Sequence, residues 1–334
     1  MNKLLALTER FSGLRVAVLG DLMLDRYIWG AATRISQEAP VPVIEVTRCN
    51  SVPGGAANVV RNLIGLGANA HAFGCIGSDN DGQELLELLR DAEANSEGVI
   101  VDCQRQTTVK TRVLASNQQV VRIDRECHHC ISQEMQDKLL AALQAGLSQG
   151  QIEALILEDY AKGVFDQDFM QAACDMASKA GIFVTLDPHP SHTFHVRGLK
   201  LMTPNRAEAF ALAGVPHQPG NNDLGKDQAL LETGWAILEK WAPELLLITL
   251  GSEGMALFQQ VGAIPMHIPT QARQVFDVSG AGDTVMASMT MALLAGAEPE
   301  EAARLANAAA GVVVGFVGTT AINIAALREK LLLV

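Results

Sequence analysis

No run in this chain approaches the roughly 18 consecutive apolar residues that a membrane-spanning helix needs, although 49% of its residues are hydrophobic. Met1 to Phe11 carries Lys3, Glu9 and Arg10 around a short apolar stretch, which reads as neither a signal peptide nor an anchor. Cysteine is sparse: Cys49, Cys75, Cys103, Cys127, Cys130 and Cys174 show no disulfide-scaffold spacing, and a reducing cytoplasm is the simplest expectation. Cys127-His128-His129-Cys130 has the look of half a zinc site, but no second Cys or His pair lies at a matching spacing, so it reads as exposed loop. His189, His192 and His195 likewise read as a surface loop. Basic residues are outnumbered, 25 against 37 acidic ones, and the net charge of −12 repels nucleic acid while leaving room for a local cationic pocket. The first strand-like run lacks G-x-G-x-x-G, which argues against a dinucleotide-dependent oxidoreductase. No repeat, low-complexity tract or long linker interrupts residues 1–334, so one large domain is expected.

What the chain does carry is concentrated in Asp277-Val278-Ser279-Gly280-Ala281-Gly282-Asp283-Thr284. Without Cβ atoms, Gly280 and Gly282 let the backbone approach a ligand and turn N–H groups toward one point. The run Val285 to Ala295 meets no breaker before Gly296 and predicts a buried helix whose first turn is the loop itself. The unpaired amides and positive dipole end of such a helix suit a phosphate or a developing negative charge. Asp283 departs from that logic, because a carboxylate is a poor neighbour for a phosphate unless it takes a proton. Phosphoryl transfer needs positioning, charge neutralisation and an acceptor for the nucleophile's proton, and loop amides plus one acid supply two of these. The alternative is an ordinary glycine-rich helix start with a capping Asp.

Gly280-Ala281-Gly282-Asp283 after Asp277-x-Ser279 resembles the D-T-x-G-A-G-D signature of the ribokinase-like (PfkB) carbohydrate kinases. The resemblance implies an α/β fold of the ribokinase-like type, a three-layer α/β/α arrangement with a mostly parallel central sheet and a small β-sheet lid. It implies an anion hole for the γ-phosphate of ATP at Gly280, Ala281 and Gly282, made by the N–H groups of Ala281, Gly282 and Asp283, with Asp283 as the base that deprotonates a sugar hydroxyl. Magnesium comes with ATP on this reading.

The remaining segments are consistent with it. Leu14 to Asp21 reads as a buried parallel strand opening a site, with Asp21 and Asp25 on its substrate side. Arg34-Ile35-Ser36-Gln37-Glu38-Ala39-Pro40-Val41-Pro42-Val43 resembles the R-I-S-x-E-A-P-V-P-V segment of the heptose 7-phosphate kinases, and is alternatively a lid strand serving only folding or dimerisation. Gly54, Gly55 and Asn58 match the family's G-G-x-x-x-N sugar-site signature. Phe73 to Gly82 repeats a strand–turn–helix theme, its acids capping a helix over Gln83 to Leu89. Residues 107–124 alternate as a hairpin turned at Ser116-Asn117. Its Lys110, Arg112 and Arg122 are cations suited to a sugar phosphate, or solvated charges on a lid face.

Asp159-Tyr160-Ala161-Lys162-Gly163 resembles D-Y-x-K-G, with Lys162 a phosphate or substrate contact, whereas Asp187-Pro188-His189-Pro190 departs from the family's D-P-K-G. Asn205 and Glu208 match N-x-x-E, which implies placing Mg²⁺ through water, and they equally form a capping box. Thr249, Gly251 and Gly254 match the T-x-G-x-x-G of the nucleotide side, and Asn307, on a helix opened by Glu298-Pro299-Glu300-Glu301, is an adenine or ribose neighbour. Asp277 with Gly315 to Ala321 implies a monovalent-cation (K⁺) site. The lid is expected from about 24–49 and 106–124, pairing between subunits as a homodimer. The expected activity is phosphorylation of D-glycero-D-manno-heptose 7-phosphate at its anomeric hydroxyl. Another sugar such as fructose or ribose is the alternative, and a non-catalytic sugar or nucleotide binder a further one. No fused nucleotidyltransferase module is expected, so a separate one would act downstream.

Overall fold

Alternate residues along each apolar strand run enter two separate cores. Val16, Val18, Ala154, Ile156, Leu245 and Leu247 fall in one, and Ala17, Leu19, Leu155, Leu157, Leu246 and Ile248 in the other. A strand apolar on both faces has to be covered on both, which requires helices above and below a parallel sheet. The computed structural model describes residues 3–115, 118–221, 223–272 and 275–333, and it has that architecture.

The strands are β1 (Arg15–Gly20), β2 (Leu22–Ile35), β3 (Pro42–Gly55), β4 (Asn69–Gly77), β5 (Asn95–Asp102), β6 (Thr108–Ala115), β7 (Gln118–Arg125), β8 (Ala154–Glu158), β9 (Phe183–Asp187), β10 (Leu199–Met202), β11 (Leu245–Thr249), β12 (Met255–Phe258) and β13 (Met266–Ile268). Nine of them form the main sheet in the order β13-β12-β11-β10-β9-β8-β1-β4-β5. It is parallel apart from β12 and β13, which add an antiparallel edge. Helices Ala56–Gly65, Ala281–Leu294 and Pro299–Val313 contribute to the first core, and Gln133–Ser148, Gln167–Lys179, Arg206–Ala213 and Gln228–Trp241 to the second.

The other four strands form a smaller sheet, β3-β2-β6-β7, with β2 antiparallel to β3 and parallel to β6. One arm of its first hairpin leaves the main sheet directly and the other returns straight into a helix that covers that sheet. Leu22 follows β1 after one residue, and β3 ends at Gly54-Gly55, whose next residue opens helix Ala56–Gly65. Glycine is required at that junction: Gly55 has φ 54°, and a Cβ on Gly54 would lie 2.8 Å from the Asp25 carboxyl. The Pro-containing segment is an edge strand, as its prolines predict, but it continues far beyond Val46 to Gly55. The expected turn at Ser116-Asn117 lies outside the described residues.

Local signals place several helix starts. Asp79 caps Asn80–Asp91 by accepting from Gly82 N at 2.8 Å. Asn205 and Glu208 form a reciprocal capping box on Arg206–Ala213, and Glu298 and Glu301 do the same on Pro299–Val313. No helix among the described residues is long and apolar enough to cross a membrane.

Candidate active site

The carboxyl ends of β1, β8, β9 and β11 open onto one edge of the main sheet, where open α/β folds bind ligands. Asp283, in the first turn of Ala281–Leu294, sits there at 8% exposure. Asn58 Nδ2 donates to its Oδ2 at 2.6 Å, and the Tyr160 hydroxyl donates to its Oδ1 at 2.7 Å. Burial pushes the Asp283 pKa up, and the two donors pull against that rise. The result is a carboxyl group held at fixed orientation in a site that favours its taking a proton, which is what general-base work requires.

The turn before it is shaped by Gly280, which caps the helix at φ 77° and whose Cβ, if present, would lie 2.8 Å from Asn58 Nδ2. No side chain caps this helix. The expected hole of three amides is corrected to two, because the turn closes on itself and Ala281 N–H donates to Val278 O at 3.2 Å. Gly282 and Asp283 N–H have no backbone partner among the described residues, the Asp283 N–H meets its own carboxylate, and a Cβ at Gly282 would meet nothing within 4 Å. Asp277 accepts from Ser279 N and Gly318 N, both at 2.9 Å, tying the turn to the C-terminal loop. Although burial opposes it, those amides hold the Asp277 pKa below the usual carboxylate range.

Beside Gly282 opens a cavity of about 630 Å³. Asn205, Glu208, Thr249, Gly251, Gly254 and Asn307 all line it, together with Ala281, Gly282 and Asp283. Residues from four separate stretches of sequence are thus brought to one wall. Asn307 Nδ2 donates to Pro269 O at 2.7 Å, fixing that wall against the segment after β13.

Three residues not singled out from the sequence belong to the site. Tyr160 holds the base, although the D-Y-x-K-G stretch had drawn attention only to its lysine. Asp187, at the end of β9, lines the cavity and accepts from Thr203 Oγ1 at 3.1 Å. Glu158, at the end of β8 and paired in register with Asp187, is fully buried with both oxygens unpartnered. Burial and the facing carboxyls of Asp187 and Asp283 push its pKa well up; burial, then Glu208 and Asp283, do the same for Asp187. The usable signal was an acid ending each of two adjacent parallel strands.

One face of the small sheet carries the expected cations. Arg112 Nη1 lies 2.5 Å from Asp25 Oδ1, while Asp25 Oδ2 accepts from Thr319 Oγ1 at 3.2 Å. Lys162 and Lys110 flank Glu126, at 2.9 and 3.9 Å, and His128 approaches the same carboxylate at 3.3 Å. Burial lowers the Lys110 pKa, with Glu126 opposing.

Three expected substrate contacts are placed otherwise. Asp21, 2% exposed, commits both oxygens to backbone N–H groups, Tyr160 at 2.9 Å, Lys162 at 3.0 Å and Val164 at 3.2 Å, so it organises that loop and does not face a ligand. Arg122 is an exposed edge residue forked onto Asp124 at 2.9 Å. Arg34 is exposed and lies nine residues past Asp25 on β2, about 30 Å away in extended chain, so it is not part of this chain's own site. Gly54 and Gly55 act by making room for Asp25 and Met23. Of the histidines, His192 Nδ1 meets Asp159 Oδ2 at 2.7 Å, and His189 pairs with Ser191.

Comparison with known proteins agrees in extent and in kind. The profile described as pfkB family carbohydrate kinase matches residues 14–326. The chain is 44% identical over 322 residues to "Bifunctional protein HldE" of Desulfatibacillum aliphaticivorans, covering 96% of this chain and 64% of that protein. Among solved structures it is similar to Arabidopsis thaliana ribokinase complexed with ribose and ATP (21% identity, TM-score 0.70) and to phosphofructokinase-2 from Escherichia coli in complex with potassium (19%, TM-score 0.75). Each of these covers 96% of this chain and 99% of the other. At such identities the likeness is one of fold.

Proposed function

The chain belongs to the pfkB family of carbohydrate kinases, phosphotransferases that act on a sugar hydroxyl, and from that premise we propose that it transfers the γ-phosphoryl group of ATP to the anomeric hydroxyl of D-glycero-D-manno-heptose 7-phosphate. The observation that carries the reading is Asp283, buried between two hydrogen-bond donors and adjoining both the Gly282 amide and the open cavity. The sugar hydroxyl gives its proton to Asp283 as its oxygen attacks the γ-phosphorus. The amides at the helix start stabilise the charge on the transferring group. ATP occupies the cavity, with its terminal phosphate toward Gly282.

The choice of sugar is supported by the likeness to HldE proteins at 38–44% identity, by Arg34-Ile35-Ser36-Gln37-Glu38-Ala39-Pro40-Val41-Pro42-Val43, and by Lys110, Arg112 and Lys162 around the sugar side. The chain spans 64% of the length of the first of these relatives. On this reading a separate nucleotidyltransferase acts downstream in the pathway, and the work is done in the cytoplasm, where the six free cysteines stay reduced.

Asp187 and Glu208, carboxylates raised in pKa first by burial, share the cavity wall with Asn205 and fit a magnesium ion that retains most of its waters. Bound there, the ion would neutralise phosphate charge. Asp277, charged and half-buried, fits a potassium neighbour. Exposed Ile35 and Val46 on the small sheet, with exposed Val41 in the connection between β2 and β3, support pairing of two copies through it.

A panel of sugars and sugar phosphates with Mg²⁺-ATP, scored by ADP release, tests the substrate. Preference for unphosphorylated fructose or ribose would discard the heptose phosphate. Asp283→Asn tests the chemistry, with kcat expected to fall roughly 10²–10⁴-fold; unchanged turnover would remove Asp283 as base.

A further inference from the structure

We propose that Tyr160 is the positioning residue of the general base, its hydroxyl fixing which side of the Asp283 carboxylate meets the sugar. The inference rests on the reading of Asp283 as base. Its ground is the 2.7 Å bond from the phenol to Oδ1, opposite the Asn58 bond to Oδ2. With one donor on each oxygen, the carboxylate plane cannot rotate without breaking a bond.

The loop that presents Tyr160 is built to hold it. Asp21 receives the backbone N–H groups of Tyr160, Lys162 and Val164, and Asp159 Oδ1 receives that of Ala161 at 2.8 Å. Ala161 lies at φ 53°, a left-handed conformation that a residue with a Cβ keeps only where its surroundings enforce it. Two buried carboxylates thus bend the chain so that the phenol reaches Asp283.

The direction of the bond is set chemically. Burial, together with the carboxyls of Asp283 and Glu158, pushes the Tyr160 pKa well above its usual value, so the phenol stays protonated and donates. The groups around Asp283 are Asn58 from helix Ala56–Gly65, Tyr160 from the loop after β8, Asp25 from β2, Glu158 from β8 and Asp187 from β9. Of these, two donate hydrogen bonds and three are carboxyls that disfavour ionisation. Losing the phenol leaves Asn58 and the residue's own backbone N–H against three acids. During transfer the sugar O–H bond breaks, its proton passes to Asp283, the new P–O bond forms and the bond to ADP breaks; Tyr160 keeps its proton throughout.

Tyr160→Phe keeps the ring and deletes only the hydroxyl. With Mg²⁺-ATP and the acceptor that turns over fastest in the panel, kcat is expected to fall tenfold or more, with both KM values within about twofold. The acid limb of kcat should move to higher pH, because removing a donor to the ionised form raises the Asp283 pKa. Unfolding midpoints of variant and wild type should coincide within a few degrees. Asp283→Asn should retain only a residual rate roughly 10²–10⁴-fold below wild type, and adding Tyr160→Phe to it should cost nothing more. A Tyr160→Phe enzyme with wild-type kcat and acid limb, beside an Asp283→Asn so impaired, would overturn the role of Tyr160 alone. An Asp283→Asn with unchanged turnover would instead overturn the base assignment, and Tyr160 with it.

Discussion

Asn58 and Asp283, 225 residues apart in the chain, are joined by a 2.6 Å hydrogen bond. The same amide is where a side chain on Gly280 would collide, at 2.8 Å. Helix Ala56–Gly65 is therefore held at once against Asp283 and against the turn at Gly280 that opens the next helix. Asn58→Leu should lower kcat about 10- to 100-fold, the scale of a hydrogen bond to a charged group. Because the lost donor favoured the ionised form, activity at acid pH should suffer most, and rates measured between pH 5.5 and 8.5 would check this. An unaltered pH profile would mean that Asn58 serves only packing.

Glu158 gives a stability prediction. Its folded-state pKa is raised by burial first, so folding takes up a proton between the unfolded and folded pKa values. Stability from this group is present below the unfolded pKa and is lost as pH rises through that window, at about 1.4 kcal/mol per pH unit per group. Glu158→Gln removes the ionisation at nearly constant shape. Its gain in Tm over wild type should be larger at pH 8 than at pH 5, in buffer without divalent metal. Equal differences at both pH values would show that Glu158 is not the titrating group.

Lys110 and Arg122 should differ although both are cations of the small sheet. Lys110 is largely covered and faces Glu126, while Arg122 is exposed and already paired with Asp124. Lys110→Met is expected to raise the KM for the phosphorylated sugar at least tenfold with that for ATP little changed, and Arg122→Ala to leave both within about twofold. Steady-state kinetics on the two variants decide it. A large effect at Arg122 alone would relocate the sugar phosphate toward the edge strand.

Glu208 has two roles that one substitution separates. In Glu208→Gln the amide oxygen still accepts from Asn205 N, so the capping box survives and stability should fall by less than about 1 kcal/mol. The cavity loses a negative charge, so the Mg²⁺ concentration giving half-maximal rate should rise severalfold. Magnesium titration beside thermal unfolding measures both. A lower Tm with an unchanged Mg²⁺ requirement would leave Glu208 a cap only.

The fold was legible because β1, β8, β9 and β11 are short apolar runs ending in polar or glycine residues, and the helix starts at Asn205, Glu298 and Gly280 carry their own caps. The long β2 was not, because its outer half is exposed and lacks a periodic apolar face. Local backbone demands are legible in spacing alone, as in the helix start at Gly280 and the capping box of Asn205 and Glu208. Asp21 was misassigned because only the fold brings three amides of residues 160–164 onto it. Tyr160 and Glu158 escaped notice because their meaning lies in which strand ends become neighbours, a fact of sheet order and not of spacing.

That order has a consequence for synthesis. β1 lies between β4 and β8, and a ribosome delivers β4 long before β8. Until Glu158 has emerged, one edge of β1 stays open, and Val16, Val18 and Leu19, all nearly inaccessible in the finished protein, lack half their cover. The nascent chain must pass through this interval with one edge of β1 unpaired before it can close its sheet.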